Sequence, residues 1–381
     1  MFRTPFFLRR PWLLLRDAFI NRKHPNLGEL RHIQDAEKFV WNILPHAART
    51  FSACIAMLPE RQARSSAVAY LYSRILDTYE DLHPELEQRI AILEEFSVRF
   101  DDFHSNEDGQ QSLKPAPPIP KGTLHSRRDL AHLLLVDRCD KVDTVYFTLT
   151  STEQKRIREL IRAMAKGMAE SARLFHRQGG VLASQQQVLD YSDHVLGNPV
   201  RFAISTVQGS DPTGTQLDNA RAVGEMVQLA NITRDIEHDL LDGKAYHPAL
   251  RPWLGIKVLA ARDDGGDSEE QYQARTEIRA VRSELMDLAL ERAASYRRMV
   301  CSINFKRFSL ARAAAVLMMI FTDRYYRSCA RRCGRESWPG YKGPIAILLT
   351  TLPCIFMVAR SERMLRQLES NLLQAVKVGQ V

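Results

Sequence analysis

Four aspartates fall into two pairs of equal spacing. The first segment reads Tyr70-Leu-Tyr-Ser-Arg74-Ile-Leu-Asp77-Thr-Tyr-Glu-Asp81. The second reads Gln228-Leu-Ala-Asn231-Ile-Thr-Arg234-Asp235-Ile-Glu-His-Asp239. On a helix, residues 70, 74, 77 and 81 share one face, as do 228, 231, 235 and 239. Like charges at i and i+4 destabilise a helix by about 0.2–0.5 kcal/mol. Apolar neighbours such as Ile75, Leu76, Leu229 and Ile232 imply packed helices, which raises the cost of bare carboxylates. A hard divalent cation resolves the conflict. Mg²⁺ takes oxygen ligands, keeps several waters and is usually held by one or two carboxylates plus phosphates. The pattern predicts Asp77, Asp81, Asp235 and Asp239 as Mg²⁺ ligands, two facing pairs holding a metal cluster over a diphosphate. Nearby arginine and lysine would balance the charge.

Spacing alone is weak. A third Asp-x-x-x-Asp, Asp263 and Asp267, encloses Asp264-Gly-Gly and has no helical apolar pattern, so it reads as a solvated turn. The companions set the other two apart: Tyr70 and Arg74 in the first, Gln228, Asn231 and Arg234 in the second.

Helices must position these faces. Apolar residues recur at helical spacing over 67–82, 84–103, 152–178, 186–207, 216–241, 269–302 and 309–333, and no run alternates convincingly as a strand would. Breaks fall at 105–123, which holds Pro115-Ala-Pro-Pro-Ile-Pro120, and at 209–214, 243–255 and 263–267. None is long enough to link domains. The expectation is one all-α domain over 34–335, with a basic, apolar extension at 1–33 and a second extension at 336–381.

The chain has 381 residues, with 53 Lys and Arg against 45 Asp and Glu, for a net charge of +8. The charge is uneven. Residues 1–23 hold six basic side chains and only Asp17, and residues 291–342 hold twelve basic and three acidic. The remaining body is mildly acidic, which argues against a nucleic-acid partner and for anionic membrane surfaces or diphosphates. Six cysteines (54, 139, 301, 329, 333 and 354) form no Cys-x-x-Cys pair and read as buried free thiols in a reducing, cytoplasmic setting.

At the N-terminus, Phe2, Phe6, Phe7 and Leu8 precede Arg9-Arg10-Pro11 and Trp12-Leu13-Leu14-Leu15. The apolar pieces are too short and interrupted for a signal-peptide core. They fit an interfacial anchor, with a disordered tail as the other reading. Residues 344–359 form an uncharged run between Lys342 and Arg360. A spanning helix needs about 20 apolar residues, and Pro353 interrupts this one, so a C-terminal anchor and a buried or half-inserted segment both stand open.

These residues resemble the squalene/phytoene synthase family of the trans-isoprenyl diphosphate synthases, from about residue 35 to about 335. Tyr70-x-x-x-Arg74-x-x-Asp77-x-x-x-Asp81 and Gln228-x-x-Asn231-x-x-Arg234-Asp235-x-x-x-Asp239 resemble the two aspartate-rich motifs. Gly243-Lys244-Ala-Tyr246-His-Pro248 is similar to the flap that follows the second. Ala48-Arg49-Thr50-Phe51 and Tyr191-Ser-Asp-His-Val-Leu-Gly197 resemble two further family segments. The resemblance implies a helical bundle around a central cavity and head-to-head joining of two allylic prenyl diphosphates, farnesyl diphosphate slightly favoured. It implies that Arg49, Arg74, Gln228, Asn231, Arg234, Lys244 and Tyr246 contact diphosphate. It gives Tyr70, Arg74 and Tyr191 catalytic parts, Tyr191 as proton acceptor or relay; a tyrosine bonded within a packing seam is the alternative. NADPH use, final product and oligomeric state stay open.

The chain departs from the family pattern in places. Ala48 stands where a serine is usual, Lys244 where the flap has arginine, and Ser192 where cysteine follows the tyrosine. Asn198-Pro199-Val200-Arg201 replaces a small, glycine-containing continuation and is reminiscent of bacterial hydroxysqualene synthases. Pro199 in a helical pattern predicts a kink facing the cavity. Two other functions use the same residues: a terpene synthase that cyclises one prenyl diphosphate, and a non-catalytic, membrane-associated assembly factor. The latter should have lost aspartates, and this chain keeps all four.

Overall fold

The computed structural model describes residues 5–21, 24–48, 50–83, 85–101, 103–105, 111–120, 127–256, 269–335 and 343–377. Arg49 and the Asp263/Asp267 pair lie outside them. The described chain is almost wholly helical. In order come α1 (Phe6–Phe19), α2 (Leu27–His32), α3 (Ala36–Ala48), α4 (Phe51–Met57), α5 (Glu60–Leu82) and α6 (Leu86–Val98). They are followed by α7 (Arg127–Asp137), α8 (Cys139–Phe147), α9 (Ser151–Arg177), α10 (Gln185–Ser192), α11 (Asn198–Gln208) and α12 (Gly214–Leu241). Last come α13 (Glu269–Leu290), α14 (Ala293–Ser302), α15 (Leu310–Arg332), α16 (Gly343–Thr351) and α17 (Val358–Lys377). One antiparallel hairpin, β1 (Phe103–Ser105) with β2 (Gln111–Leu113), falls where the sequence suggests a helix end and a loop. Three-residue strands are too short to leave an alternating pattern.

Two compact units share the chain. The first comprises 1–170, 202–211 and 308–315; the second comprises 171–201, 212–307 and 316–381.

In the first unit α5 is the central helix, packed by α3, α4, α6, α7 and α8. Its buried positions include Ala63, Ala67 and Ala69, which let neighbours approach, and Tyr72, Ile75, Leu76 and Tyr79, which fill the core. Tyr72, Phe96, Phe100 and Tyr146 pack edge to face. The Tyr72 hydroxyl donates to Asp143 at 2.7 Å, and Arg99 binds the same carboxylate at 2.6 Å. The charge pair is thus buried but satisfied. Tyr79 donates to the Pro117 carbonyl at 2.7 Å, fastening the proline-rich segment to α5.

In the second unit α12 holds the same place, packed by α10, α13, α14 and the turn before α11. A capping box starts it: the Thr213 side chain accepts from the third backbone N–H, while the Thr213 N–H donates to Gln216 at 2.9 Å. Gly243, at φ +73°, carries the chain away after its end.

The run 344–359 is not one helix. It divides into α16, a 3₁₀ turn at Leu352–Ile355 and the start of α17. Pro353, which has no N–H, sits at the break. Among the described residues no helix is long and apolar enough to cross a membrane, so the C-terminal helical anchor is not supported. The cysteines are unbridged. Cys301 is exposed and Cys333 partly so, against the expectation of burial for all six.

Candidate active site

The first aspartate face belongs to α5. Its buried side is locked by the Tyr72–Asp143–Arg99 cluster, which leaves Tyr70, Arg74, Asp77 and Asp81 along the less buried side. The Arg74 guanidinium meets Asp77 at 3.2 Å and donates to the Tyr70 hydroxyl at 3.2 Å. It also lies 5.9 Å from the Tyr70 ring centre, and the Phe51 ring packs against Tyr70 at 5.6 Å. Burial opposes the charge on Arg74. Tyr70, Asp77 and Asp81 outweigh it and hold its pKa above the ordinary value. Its Nε is buried with no hydrogen-bond partner among the described residues. Asp77 is half-buried and Asp81 exposed.

The second face belongs to α12. Gln228 is buried and accepts from Asn231 Nδ2 at 3.2 Å. Arg234 grips the neighbouring Asp235 with both ends of its fork, Nε to Oδ1 at 2.7 Å and Nη2 to Oδ2. The guanidinium rests 5.0 Å over the Tyr325 ring, and Arg332 donates to the Arg234 carbonyl at 2.7 Å. Burial works against the Arg234 charge, and the bond to Asp235 more than restores it, so its pKa also lies above the ordinary value. On the helix's other side Arg282 donates to the Thr233 carbonyl at 2.7 Å and to Glu237.

The flap is clipped to the same unit by backbone bonds. Lys244 N–H donates to the Asp239 carbonyl, Ala245 N–H to Gly180, and Leu182 N–H back to Ala245. Gly180 has φ +85°, and a Cβ there would lie 2.3 Å from the Gly243 carbonyl oxygen, so only glycine fits. This clip brings Tyr246 against Tyr191, hydroxyl to hydroxyl at 3.4 Å, with Phe175 edge-on to both rings. Tyr191 therefore lies in an aromatic packing seam, beside a second hydroxyl.

The kink predicted at Pro199 is a π turn over Asp193–Gly197. The Asn198 N–H reaches back five residues to the Asp193 carbonyl. Pro199 lacks the N–H that would next serve the His194 carbonyl, and Asn198 Nδ2 donates there instead at 2.9 Å. Arg201 ties the turn together, bonding Asp193 at 2.8 Å and Asn198 Oδ1 at 2.8 Å. The turn lies directly on α12 at Gly224, where a Cβ would fall 2.4 Å from Gly197 N. Gly224 is one helical turn before Gln228, so the π turn and the aspartate face are built on one rigid contact.

Sequence reasoning missed Gly180, Phe175, Gly224 and Tyr325. Only the glycines left a signal, since each sits in a pattern that otherwise tolerates side chains. A cavity of about 500 Å³ in the first unit, lined by Pro115, Pro118, Cys139, Asp143 and Phe147 among others, contains none of the predicted site residues.

The donor set of these two faces is hard oxygen. Among the described residues no three His, Cys, Asp or Glu side chains converge on one point. A cation here would complete its shell with phosphate oxygens and water, as Mg²⁺ commonly does. Carboxylates at i, i+4 beside the open Nε of Arg74 fit that group.

Each compact unit thus carries an aspartate-bearing helix at its centre, in a fold that is almost wholly helical. The sequence model for squalene/phytoene synthase matches residues 44–341, and the chain belongs to that family. Squalene synthase BSS of Botryococcus braunii is 26% identical over 218 residues, covering 56% of this chain and 42% of that protein. A squalene synthase of Cyberlindnera jadinii is 24% identical over 213 residues, covering 55% and 44%. The chain thus spans less than half the length of these curated relatives. The solved complexes of TcSQS with the ligands E5700 and BPH1237 align with TM-scores of 0.55 and 0.57. Each shows 17% identity and covers 91% of this chain and 99% of the other. At that identity the likeness is one of fold.

Proposed function

We propose that this protein is a Mg²⁺-dependent prenyltransferase that joins two allylic prenyl diphosphates head to head, farnesyl diphosphate favoured, with loss of diphosphate. The observation that carries the reading is the pair of aspartate faces, each with its own arginine, in a chain of the squalene/phytoene synthase family. Bound Mg²⁺ would supply Lewis-acid stabilisation of the departing diphosphate, held by Asp77 and Asp81 on α5 and by Asp235 and Asp239 on α12.

The chain's own residues do the rest. Arg74 offers its open Nε to a diphosphate oxygen while Tyr70 and Asp77 fix its fork. Arg49 and Lys244 are further diphosphate cations, Lys244 as a point charge in place of a fork. Gln228 and Asn231 orient substrate two turns and one turn ahead of Asp235. Arg234 neutralises Asp235 until substrate arrives and then shares its fork with phosphate. The Tyr191–Tyr246 hydroxyl pair takes and relays the proton lost after carbon–carbon bond formation, within a wall of aromatic faces that tolerate a carbocation. Release of a long apolar product goes with association at a membrane surface.

The test is incubation with C15 and C20 diphosphates, with and without Mg²⁺ and NADPH, followed by mass spectrometry of the lipid extract. A product of twice the substrate's carbon number, formed only with Mg²⁺, supports the reading. Hydrocarbons of unchanged carbon number would overturn it in favour of single-substrate cyclisation.

A further inference from the structure

The N-terminal helix is built inside out with respect to charge. Arg10 of α1 turns inward and donates to the carbonyls of Ala56 and Leu58, at 3.1 and 2.9 Å, where α4 ends. Arg16 turns inward too, bonding the Trp41 carbonyl at 2.8 Å and Asp17 at 2.9 Å. Phe6, Leu13 and Leu14 are buried beside them. Arg10 is a strong tether, since a cation at a helix C-terminus satisfies its open carbonyls; Arg16 reaches a carbonyl within α3 that Pro45, lacking an N–H, leaves open.

The outward face is the opposite. Phe7, Leu8, Trp12, Leu15 and Phe19 are 42% to 67% exposed, and every exposed residue of α1 is apolar. Positions 8, 12, 15 and 19 step by four, three and four, one continuous stripe. Arg16 lies 5.1 Å over the Trp12 ring and holds it in place. A contiguous apolar face of this kind marks an interaction surface.

We infer that this stripe of α1 docks the protein in the plane of an anionic lipid bilayer, with Arg10 and Arg16 fastening the helix to the body rather than reaching for headgroups. The inference deepens the membrane reading above by naming its surface. Fourteen residues span only about 21 Å, less than the roughly 30 Å of a hydrocarbon core, so the helix lies in the interface rather than across it. Charge selects the occupant. Arg3 precedes the helix in sequence and Arg22 and Lys23 follow it, and residues 1–23 contain a single acidic side chain. A second copy would bring like charge to this face, whereas anionic headgroups bring the opposite sign.

The test uses the full chain with sedimented vesicles, either phosphatidylcholine alone or mixed with phosphatidylglycerol. Wild-type protein binds the mixed vesicles more tightly. The triple variant Leu8→Gln, Trp12→Gln, Leu15→Gln binds at least about 100-fold more weakly. Its circular dichroism and its turnover on detergent-dispersed substrate stay at the wild-type level, because these side chains lie outside the body. Trp12→Gln alone weakens binding by about 10-fold and serves if the triple variant does not fold. Undiminished vesicle binding by the folded variants would overturn the assignment to α1 and leave membrane association standing. A wild type that sediments with neither vesicle would overturn both. A dimer of the wild type that the triple variant abolishes would give the face to a second copy instead.

Discussion

α5 and α12 solve one problem in two ways. Each runs through the centre of its unit, buried on most sides, and each presents two aspartates four residues apart. In α5 the arginine sits three residues before the first aspartate and shares itself between Asp77 and Tyr70, leaving one nitrogen open. In α12 the arginine is next in sequence and spends both ends of its fork on Asp235. On the proposed function, the first face would take an anion directly, whereas the second, with Asp235 already paired, would have to exchange a partner. The supports differ as well. α5 is held by a buried polar cluster around Asp143, whereas α12 is held by a glycine-to-backbone contact with the π turn.

The difference can be broken from either side. Arg74→Ala removes the open donor and should lower turnover by about 10²–10³-fold, as loss of a preorganised anion partner does. Arg234→Ala should cost less, about 10-fold, because it frees Asp235 as well as removing a cation. Steady-state kinetics of the two variants would check the order, and equal losses would show that the two arginines play the same part.

The supports come next. Gly224→Ala drives a methyl group into the Gly197 backbone and should destabilise the protein by about 1–3 kcal/mol. Tyr72→Phe removes one hydrogen bond from a carboxylate that Arg99 still holds, at about 1 kcal/mol. Denaturant titrations of both would show whether backbone contact or polar cluster is the less forgiving support.

The smallest effect concerns the start of α5. Arg61 on its first turn bonds Glu153 at 2.8 Å, and Glu153 also accepts from the N–H and hydroxyl of Thr150. Burial alone would raise the Glu153 pKa, but the Thr150 and Arg61 bonds bring it below the usual glutamate value. A lowered carboxyl pKa contributes stability that is complete above the unfolded value of about 4.3 and is lost as pH falls through the folded one. Thermal melting between neutral pH and pH about 3 should therefore show a smaller acid loss in Glu153→Gln than in wild type.

The helices and both aspartate faces were legible because burial and charge repeat at the helical period. α9 and α12 begin and end within two residues of the pattern, whereas α5 ends with it but starts seven residues earlier, at Glu60. Other features depend on contacts far apart in sequence. The sequence puts Tyr191 and Tyr246 in separate motifs. Only the backbone clip between Gly180 and Ala245 makes them neighbours. Pro199 announced a kink but not its form, because a π turn needs Asn198, Arg201 and the flat contact at Gly224 together. Arg10 and Arg16 differ in another way: their place in a basic, apolar segment suggests a membrane-facing role, but both turn toward the protein.

The most direct measurement is diphosphate release from farnesyl diphosphate by wild type, Asp77→Ala and Asp235→Ala in the presence of Mg²⁺, with circular dichroism as the check on folding. Both variants should retain the helical spectrum and release diphosphate at least about 100-fold more slowly than wild type. Release at the wild-type rate by either variant would contradict the claim that both aspartate faces serve the reaction.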